Sequence, residues 1–169
     1  SVFIGKESRF HGSGGFFEPE FEPLAINEPQ SGLKYAHSLV NEDRFARRIS
    51  LAHDIDAEFI KRYHPKSVRA YGDMYADAVR LMDSPDLSAF NIHKEDATTG
   101  DRYGKEPFGQ GCLLARRLIE RNVRTVEVSF GGWDTHQNNF TSLPELYHTM
   151  DQAVAALLDD LHRLGKLQD

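Results

Sequence analysis

In the last third of the sequence, the spacing of the apolar residues changes from helical to strand-like and back to helical. This change restricts the folds that the chain can adopt. Apolar residues recur at helical spacing over 109–121, and a β-rich run at 125–130 follows and ends at Gly131 and Gly132. A second helical pattern covers 143–164 and ends at Gly165. A helix, a strand, a glycine-rich loop and a helix in this order predict an α/β fold with a mostly parallel sheet flanked by helices.

The run at 125–130 is the clearest strand pattern in the chain. We expect it to form an interior strand, because a parallel strand that helices cover on both faces reads as nearly continuous apolar sequence. Glu127 is the exception, and it requires a polar pocket or a sheet edge. Asn122, between the helix and this run, fits a left-handed C-cap.

The first third of the sequence predicts one more strand and a long loop. Residues 1–5 read as a short buried strand that stops at a glycine. A glycine cluster at 12–15 follows, and then three prolines, Pro19, Pro23 and Pro29. Proline disfavours helical backbone at the residue before it, so this stretch predicts an extended loop.

The middle of the chain predicts two helices and a mobile connection. Asn41 is a good N-cap for a helix over 42–62, and a second helix fits 67–82. Residues 84–108 are polar and rich in loop formers, and we expect 96–104 to be their most mobile part.

Composition and charge exclude several classes of partner. The 169 residues are 40% hydrophobic and 27% charged, which fits one globular domain with a real core. A formal net charge of −6 and the lack of a lysine- and arginine-rich block argue against nucleic acid. Arg47-Arg48 and Arg116-Arg117 lie in helical patterns, where a solvated face is the ordinary interpretation. No apolar run approaches the roughly 20 residues that a transmembrane segment needs.

Cys112 is the single cysteine, so the chain cannot form an intrachain disulfide. It follows Gly111 inside an apolar run, and it is therefore interpreted as a small core residue rather than a catalytic thiol.

The loop after the predicted strand carries the candidate chemistry. Ligands of open parallel sheets bind beyond the carboxyl ends of the strands, where Gly131 and Gly132 would let the backbone turn and approach a ligand. Asp134 and His136, two residues apart, offer an oxygen and an imidazole nitrogen to a divalent cation. On spacing alone two alternatives stay open: Asp134 can form a turn with its own backbone, and His136 can be an exposed loop residue.

Three neighbouring side chains also have two interpretations each. Trp133 can pack as a structural aromatic residue or can serve as a substrate platform. Asn138 and Asn139 can donate side-chain amides to an anionic substrate or can simply shape the loop.

Two stretches of this region resemble a known bacterial family. They are FGQGCLLARRL at 108–118 and GGWDTHQNNF at 131–140, and GSGGFF at 12–17, SAFN at 88–91 and RYG at 102–104 agree with them. The pattern resembles the family called domain of unknown function 1501, which is grouped with sulfatases and alkaline phosphatases. The resemblance implies an alkaline-phosphatase-like core, of which residues 1–169 are a single domain or an incomplete portion.

The resemblance also implies a function. Asp134 and His136 match an Asp-x-His metal-ligand element, with Ca, Mg, Mn or Zn as the ion. Gly131, Gly132, Trp133, Asn138 and Asn139 would then contact an anionic phosphate or sulfate ester, or an anionic glycan. The expected protein is a metal-dependent ester hydrolase exported to the bacterial envelope. The alternatives are a non-catalytic binding or scaffold relative, which would recognise anionic glycans, and a structural subdomain whose loop binds nothing.

The chain departs from the family pattern in two places. An earlier loop similar to Gly-Gly-Pro-Ser and a later strand ending in Glu-Phe-Gly-Arg do not occur in it. No nucleophile is therefore assigned, and the catalytic residues are unknown. His11, His93 or Glu127 could complete a metal site, although no spacing argument supports them. His53, His148 and His162 fall in predicted helices and are interpreted as surface or boundary residues. By itself the chain is expected to be inactive apart from a small residual rate, and its open sheet edges predict self-association or a partner chain.

Overall fold

A computed structural model describes residues 1–5, 22–63 and 66–168. Its described elements are three strands and five α-helices, with short 3₁₀ turns between some of them. The strands are β1 (Val2–Ile4), β2 (Leu24–Ile26) and β3 (Val126–Val128). The helices are α1 (Glu42–Tyr63), α2 (Lys66–Met82), α3 (Ala97–Tyr103), α4 (Pro107–Glu120) and α5 (Asn139–Arg163).

The chain divides into two compact units. The first unit contains, of the described residues, 1–5, 24–33 and 88–168. The second unit contains 22–23, 34–63 and 66–87. The first unit contains the sheet with α3, α4 and α5, whereas the second contains α1 and α2.

The sheet of the first unit has the order β2-β1-β3, and both pairings are parallel. The α/β fold with a parallel sheet flanked by helices is therefore confirmed, and the alkaline-phosphatase-like core remains a prediction. Central β1 is buried along its whole length, and its register pairs Phe3 with Ala25 on one side and with Glu127 on the other.

The prediction of an interior strand at 125–130 is wrong within the described sheet. Only Val126–Val128 pair, and β3 lies at an edge. Val126 and Val128 are half-buried and Glu127 is exposed, which is the alternation of a strand with one covered face. The expected self-association or partner chain at a sheet edge stays a prediction.

β2 lies in the stretch that the prolines predicted as loop. The amide of Leu24 donates to the carbonyl of Ser1 at 3.1 Å, and the amide of Gly5 donates to the carbonyl of Ile26 at 2.9 Å. The strand fits because Pro23 and Pro29 stand outside it, so neither proline removes a donor from the ladder. The glycine cluster at 12–15 lies outside the described residues, as do Phe16, Phe17 and His11.

α4 packs directly against the sheet through Gly111. A Cβ at this position would lie 3.0 Å from Val128 Cγ1 and 3.2 Å from Ile4 Cγ2, so the absence of a side chain permits the close approach. The next residue, Cys112, is only 2% exposed, which confirms its interpretation as a core residue. Burial raises the pKa of its thiol to about 12, so the thiol stays protonated near neutral pH.

α3 occupies the stretch that the sequence predicts to be loop, so the prediction of a loop is wrong there, and the expected mobility stays a prediction. The Asp96 carboxylate accepts a hydrogen bond from the amide of Thr99 at 2.9 Å and caps the helix. At the other end Tyr103 is buried, and the following Gly104 ends the helix with a positive φ of 81°.

A buried network of charged groups joins α3, α4 and α5. Asp160 accepts from the Tyr103 hydroxyl at 2.8 Å and from Arg102 Nη1 at 2.8 Å, and it lies 3.6 Å from Arg116 Nε. Burial alone would raise the pKa of Asp160, but the hydrogen bonds from Tyr103 and Arg102 hold it below its usual value.

The interpretation of Arg116-Arg117 as a solvated face is wrong. Arg116 is 8% exposed and pairs with Glu95 at 2.6 Å and with Glu120 at 2.7 Å. Arg117 also pairs with Glu95 and donates from Nε to the carbonyl of Ala89 at 2.8 Å. Carboxylates and carbonyls accept hydrogen bonds from both guanidinium groups, so Arg116 can be buried and Arg117 half-buried, although Nε of Arg116 has no hydrogen-bond partner among the described residues.

The second unit confirms the two predicted helices. Asn41 caps α1, since its side-chain oxygen accepts from the amide of Arg44 at 2.9 Å. Arg47 and Arg48 are exposed on this helix, as predicted. In the described part of the chain, no helix is both long enough and apolar enough to cross a membrane.

Candidate functional site

A cavity of about 1700 Å³ lies in the first unit, beyond the carboxyl ends of its strands. Because all three strands are parallel, Gly5 after β1, Asn27 after β2 and Ser129 after β3 meet at one edge of the sheet, and all three line the cavity. Among the described residues, most of the remaining lining comes from the 3₁₀ turn Pro29–Ser31, the connection between α3 and α4 with the start of α4, the loop after β3 and one face of α5.

The strand order places the crevice between β1 and β3. β2 and β3 lie on opposite sides of β1, and ligands of open α/β sheets bind where the order reverses in this way. The two strand ends approach closely there, since a Cβ on Gly5 would lie 2.8 Å from Ser129 Cβ. Gly5 also has a φ of 136°, which disfavours any other residue.

The loop after β3 brings Asp134 and His136 together. The carboxylate Oδ1 of Asp134 contacts Nδ1 of His136, and both residues line the cavity. Their side chains are 83% and 81% exposed, so they remain accessible to a ligand. Among the described residues the Asp134 carboxylate accepts no backbone hydrogen bond, and the predicted convergence of the two side chains is confirmed.

Gly131 and Gly132 leave open space beside this pair. Gly132 has a positive φ of 92°, and a Cβ on it would lie 3.6 Å from Leu146 Cδ2 of α5. A Cβ on Gly131 would meet no atom within 4 Å. Both glycines line the cavity, which agrees with the predicted role of a turn that a ligand can approach.

Trp133 is a packing residue in this structure and is not among the lining residues of the cavity. Its ring meets Phe130 and Tyr147 edge to face, with centroid distances of 5.5 and 5.3 Å, and its Nε1 donates to the carbonyl of Phe130 at 3.0 Å. The loop is thereby fixed to α5 through Tyr147.

Asn138 and Asn139 also lie outside the cavity lining and shape the start of α5. Asn138 adopts the left-handed conformation with a φ of 57°, and its carbonyl accepts from the amides of Thr141 and Ser142. The Asn139 side-chain oxygen accepts from the Thr135 hydroxyl at 2.6 Å. The carbonyl of Asn138 and the side chain of Asn139 thus shape the loop, and contact of either side chain with a substrate stays a prediction.

Sequence reasoning missed one wall of the cavity, which α5 provides. Glu145, His148, Thr149 and Gln152 recur on one helical face and line the cavity. His148 is exposed, as predicted, but its exposed side faces this cavity. The polar spacing i, i+3, i+4, i+7 was a signal, although such a stripe usually faces bulk solvent.

The cavity carries an excess of negative charge. Among the described residues, its charged lining consists of four carboxylates, Glu28, Glu106, Asp134 and Glu145, and one ammonium group, Lys105, which leaves three excess negative charges. Such a field favours cations over anions.

The residues named for a metal site supply only part of one. Asp134 and His136 offer two of the four to six ligands that a divalent cation uses. In the described ranges, no three His, Cys, Asp or Glu side chains lie close enough together to bind an ion. Of the other ligands considered, His93 contacts the carbonyl of Gln30 at 3.0 Å, and Glu127 is exposed on β3; neither lines the cavity.

Comparison with known proteins gives one family. The family model described as "Protein of unknown function (DUF1501)" matches residues 4–169. Searches of curated proteins and of solved structures found no significant match.

Proposed function

The chain belongs to the DUF1501 family, and from this premise we propose that it forms part of a metal-dependent hydrolase of phosphate or sulfate esters. The observation that carries the proposal is the Asp134–His136 pair, which converges at the carboxyl edge of a parallel sheet and lines a large cavity. We extend the proposal, on the family resemblance, to an alkaline-phosphatase-like core and to export to the bacterial envelope.

The donor set of the pair suits a divalent cation. A carboxylate and an imidazole serve Zn, Mn and Mg, and Ca is the fourth candidate if oxygen ligands predominate. The excess of three negative charges in the cavity adds a long-range attraction for such an ion. A bound cation would polarise an ester oxygen and would favour ionisation of a water molecule.

The remaining lining residues fit the space that an ester needs. Gly131 faces open space, so a substrate can approach the backbone at this point. Lys105 is the one lysine among the described lining residues, and its ammonium group lies 3.7 Å from the Asp101 carboxylate. An anionic substrate would meet three excess negative charges of the described lining here, and binding of a divalent cation would offset two of them.

Cation titration tests the first half of the proposal. In isothermal calorimetry with Zn²⁺ and Mn²⁺, Asp134→Asn and His136→Ala should each weaken binding by more than about 100-fold, because loss of a direct ligand costs more than the 10–100-fold typical of residues that only support a ligand. The matched control is His162→Ala, which removes an exposed histidine outside the cavity lining. Equal affinity in wild type and in both loop variants would contradict the proposal.

Hydrolysis assays test the second half. Aryl phosphate and aryl sulfate are incubated with the protein, with and without the cation, and the expected rate is small because no nucleophile is assigned. The informative quantity is the cation-dependent part of this rate, which Asp134→Asn should abolish. Tight cation binding without any cation-dependent hydrolysis would favour the alternative, a non-catalytic module that binds anionic glycans.

A further inference from the structure

Helix α1 of the second unit has an exposed apolar face in addition to its packed face. The helix contacts α2, and its least exposed described residues recur at helical spacing; they are Phe45, Ile49, Asp56 and Ile60. Leu51 and Ile55 stand four residues apart, about a third of a turn away from that packed face. Their exposed fractions are 61% and 62%. Two apolar neighbours on one helical face form a seam on which another helix can pack.

The residues that continue this seam carry opposite charges at its two ends. Arg48 stands three residues before Leu51, and Glu58 stands three residues after Ile55, so all four lie on one face of α1. Arg48 and Glu58 are exposed, and among the described residues neither side chain forms a hydrogen bond or an ion pair. They cannot pair with each other, because ten residues along a helix span about 15 Å. The seam therefore favours a partner with a carboxylate opposite Arg48 and a cation opposite Glu58.

A second copy of the chain meets both requirements. When two copies of α1 pack antiparallel about a twofold axis at the midpoint of the seam, Leu51 of each copy meets Ile55 of the other. In the same register Arg48 of each copy meets Glu58 of the other. A parallel arrangement would instead oppose Arg48 to Arg48 and Glu58 to Glu58. The charges of the seam thus select the antiparallel orientation.

The charge balance of α1 favours a second copy over an anionic partner. The helix contains five basic and five acidic residues, so it has no net attraction for an anionic membrane or for nucleic acid. Its charges are complementary only when the basic end of the seam meets the acidic end of another seam.

We infer that Arg48, Leu51, Ile55 and Glu58 form the interface of a homodimer in which two copies of α1 pack antiparallel. This inference is independent of the proposed cation site. Four apolar side chains and two ion pairs meet at the twofold axis, along helices that are 22 residues, or about 33 Å, long. Because each copy contributes only two apolar residues, we expect a reversible dimer with a Kd of about 1–100 μM.

Sedimentation equilibrium of the whole chain over about 1–500 μM tests the inference. The weight-average mass of the wild type should rise from 19.2 kDa towards twice this value. Leu51→Lys should weaken association about tenfold or more, because it places a charge in the seam. The matched control is Met74→Lys in α2, a side chain that is 47% exposed and lies outside the seam. Circular dichroism at the lowest concentration establishes that each variant is folded.

A charge exchange distinguishes this interface from any other. Arg48→Glu and Glu58→Arg should each weaken association about tenfold or more, because like charges then meet twice across the axis. The double variant Arg48→Glu/Glu58→Arg should recover the wild-type Kd to within about threefold, since opposite charges meet again. The recovery can arise only between copies, because the two positions are too far apart within one helix.

Three results would overturn the inference. The first is a wild type that stays monomeric over the whole range. The second is a dimer that Leu51→Lys and Arg48→Glu leave intact, which would assign the association to another surface such as the sheet edge. The third is a monomer that sediments with phosphatidylglycerol vesicles and loses this binding in Leu51→Lys, which would assign the seam to a membrane surface.

Discussion

Removal of one buried hydroxyl, by Tyr103→Phe, tests the charged network that fixes α5 behind the cavity. Tyr103 is 1% exposed, and its hydroxyl donates to Asp160 Oδ2 at 2.8 Å. The substitution keeps the ring and deletes only the donor. Asp160 is itself 5% exposed, so water cannot easily replace the lost hydrogen bond.

The expected cost follows from the type of hydrogen bond. A hydrogen bond to a charged group contributes about 1.5–3 kcal/mol, and Asp160 keeps its bonds to Arg102 and Arg163. We therefore expect the free energy of unfolding to fall by about 2 kcal/mol, within that range. For a chain of this size, this loss corresponds to a decrease of about 4–8 °C in Tm.

The effect also has a predicted pH dependence. In the folded state the pKa of Asp160 is below its usual value of 3.8. The interactions of its carboxylate therefore stabilise the fold fully at pH values above 3.8, and this stability is lost as the pH falls through the lower pKa of the folded state. The difference between wild type and Tyr103→Phe should therefore be full at pH 7 and shrink in acid.

Urea unfolding, followed by Trp133 fluorescence, measures this difference at pH 7 and at lower pH values. Trp133 reports on the unit that contains the network. Phe45→Tyr in the second unit is a control for a change of one hydroxyl at a half-exposed aromatic ring. A loss below about 0.5 kcal/mol, the range of ordinary surface substitutions, would refute the reasoning that this bond is buried and charge-assisted.

Two further predictions concern packing around α4. Gly111→Ala should lower the free energy of unfolding by about 1–3 kcal/mol, because the added Cβ would crowd Val128 and Ile4. Gly100→Ala in α3 should raise it by about 0.5–1 kcal/mol, because a Cβ there meets no atom within 4 Å. Chemical denaturation measures both values, and equal effects of the two substitutions would contradict the packing argument. Cys112 should not react with a thiol-specific alkylating reagent at pH 8 until the protein unfolds, because it is buried and burial raises the pKa of its thiol to about 12. Mass spectrometry measures the labelling, and rapid labelling of the native protein would show that the thiol is accessible.

The long helices and the site loop could be predicted because their signals are local. α4 and α5 follow from apolar residues at helical spacing, and Asn122 adopts the predicted positive φ, 61°. The convergence of Asp134 and His136 follows from their two-residue separation in a glycine-rich turn. In each case the residues that define the feature lie within a few positions of one another.

The features that were missed depend on distant residues. β2 is three residues long and exists because β1 pairs with it, so its own sequence between two prolines does not reveal it. α3 has no apolar period and is stabilised by the Asp96 cap and by burial of Tyr103. Arg116 lies in a helical pattern that fits a solvated face until Glu95, which is 21 positions away, is placed beside it.

The same reason explains the missed wall of the cavity. Glu145 and His148 belong to a polar stripe that a sequence alone assigns to bulk solvent, and only the folded chain shows that this stripe lines the cavity. Conversely, the side chains of Trp133 and Asn139 form contacts within the loop and with α5, and the binding of a substrate by Trp133, Asn138 or Asn139 stays a prediction.

The most direct test of a cation site at Asp134 and His136 is crystallographic. Crystals grown with Zn²⁺ are measured at the zinc absorption edge, so that anomalous scattering locates each ion without any assumption about its ligands. The account predicts a peak about 2.0–2.2 Å from a carboxylate oxygen of Asp134 and from a ring nitrogen of His136. Zinc peaks only at other histidines, with Asp134 and His136 still paired to each other, would contradict it.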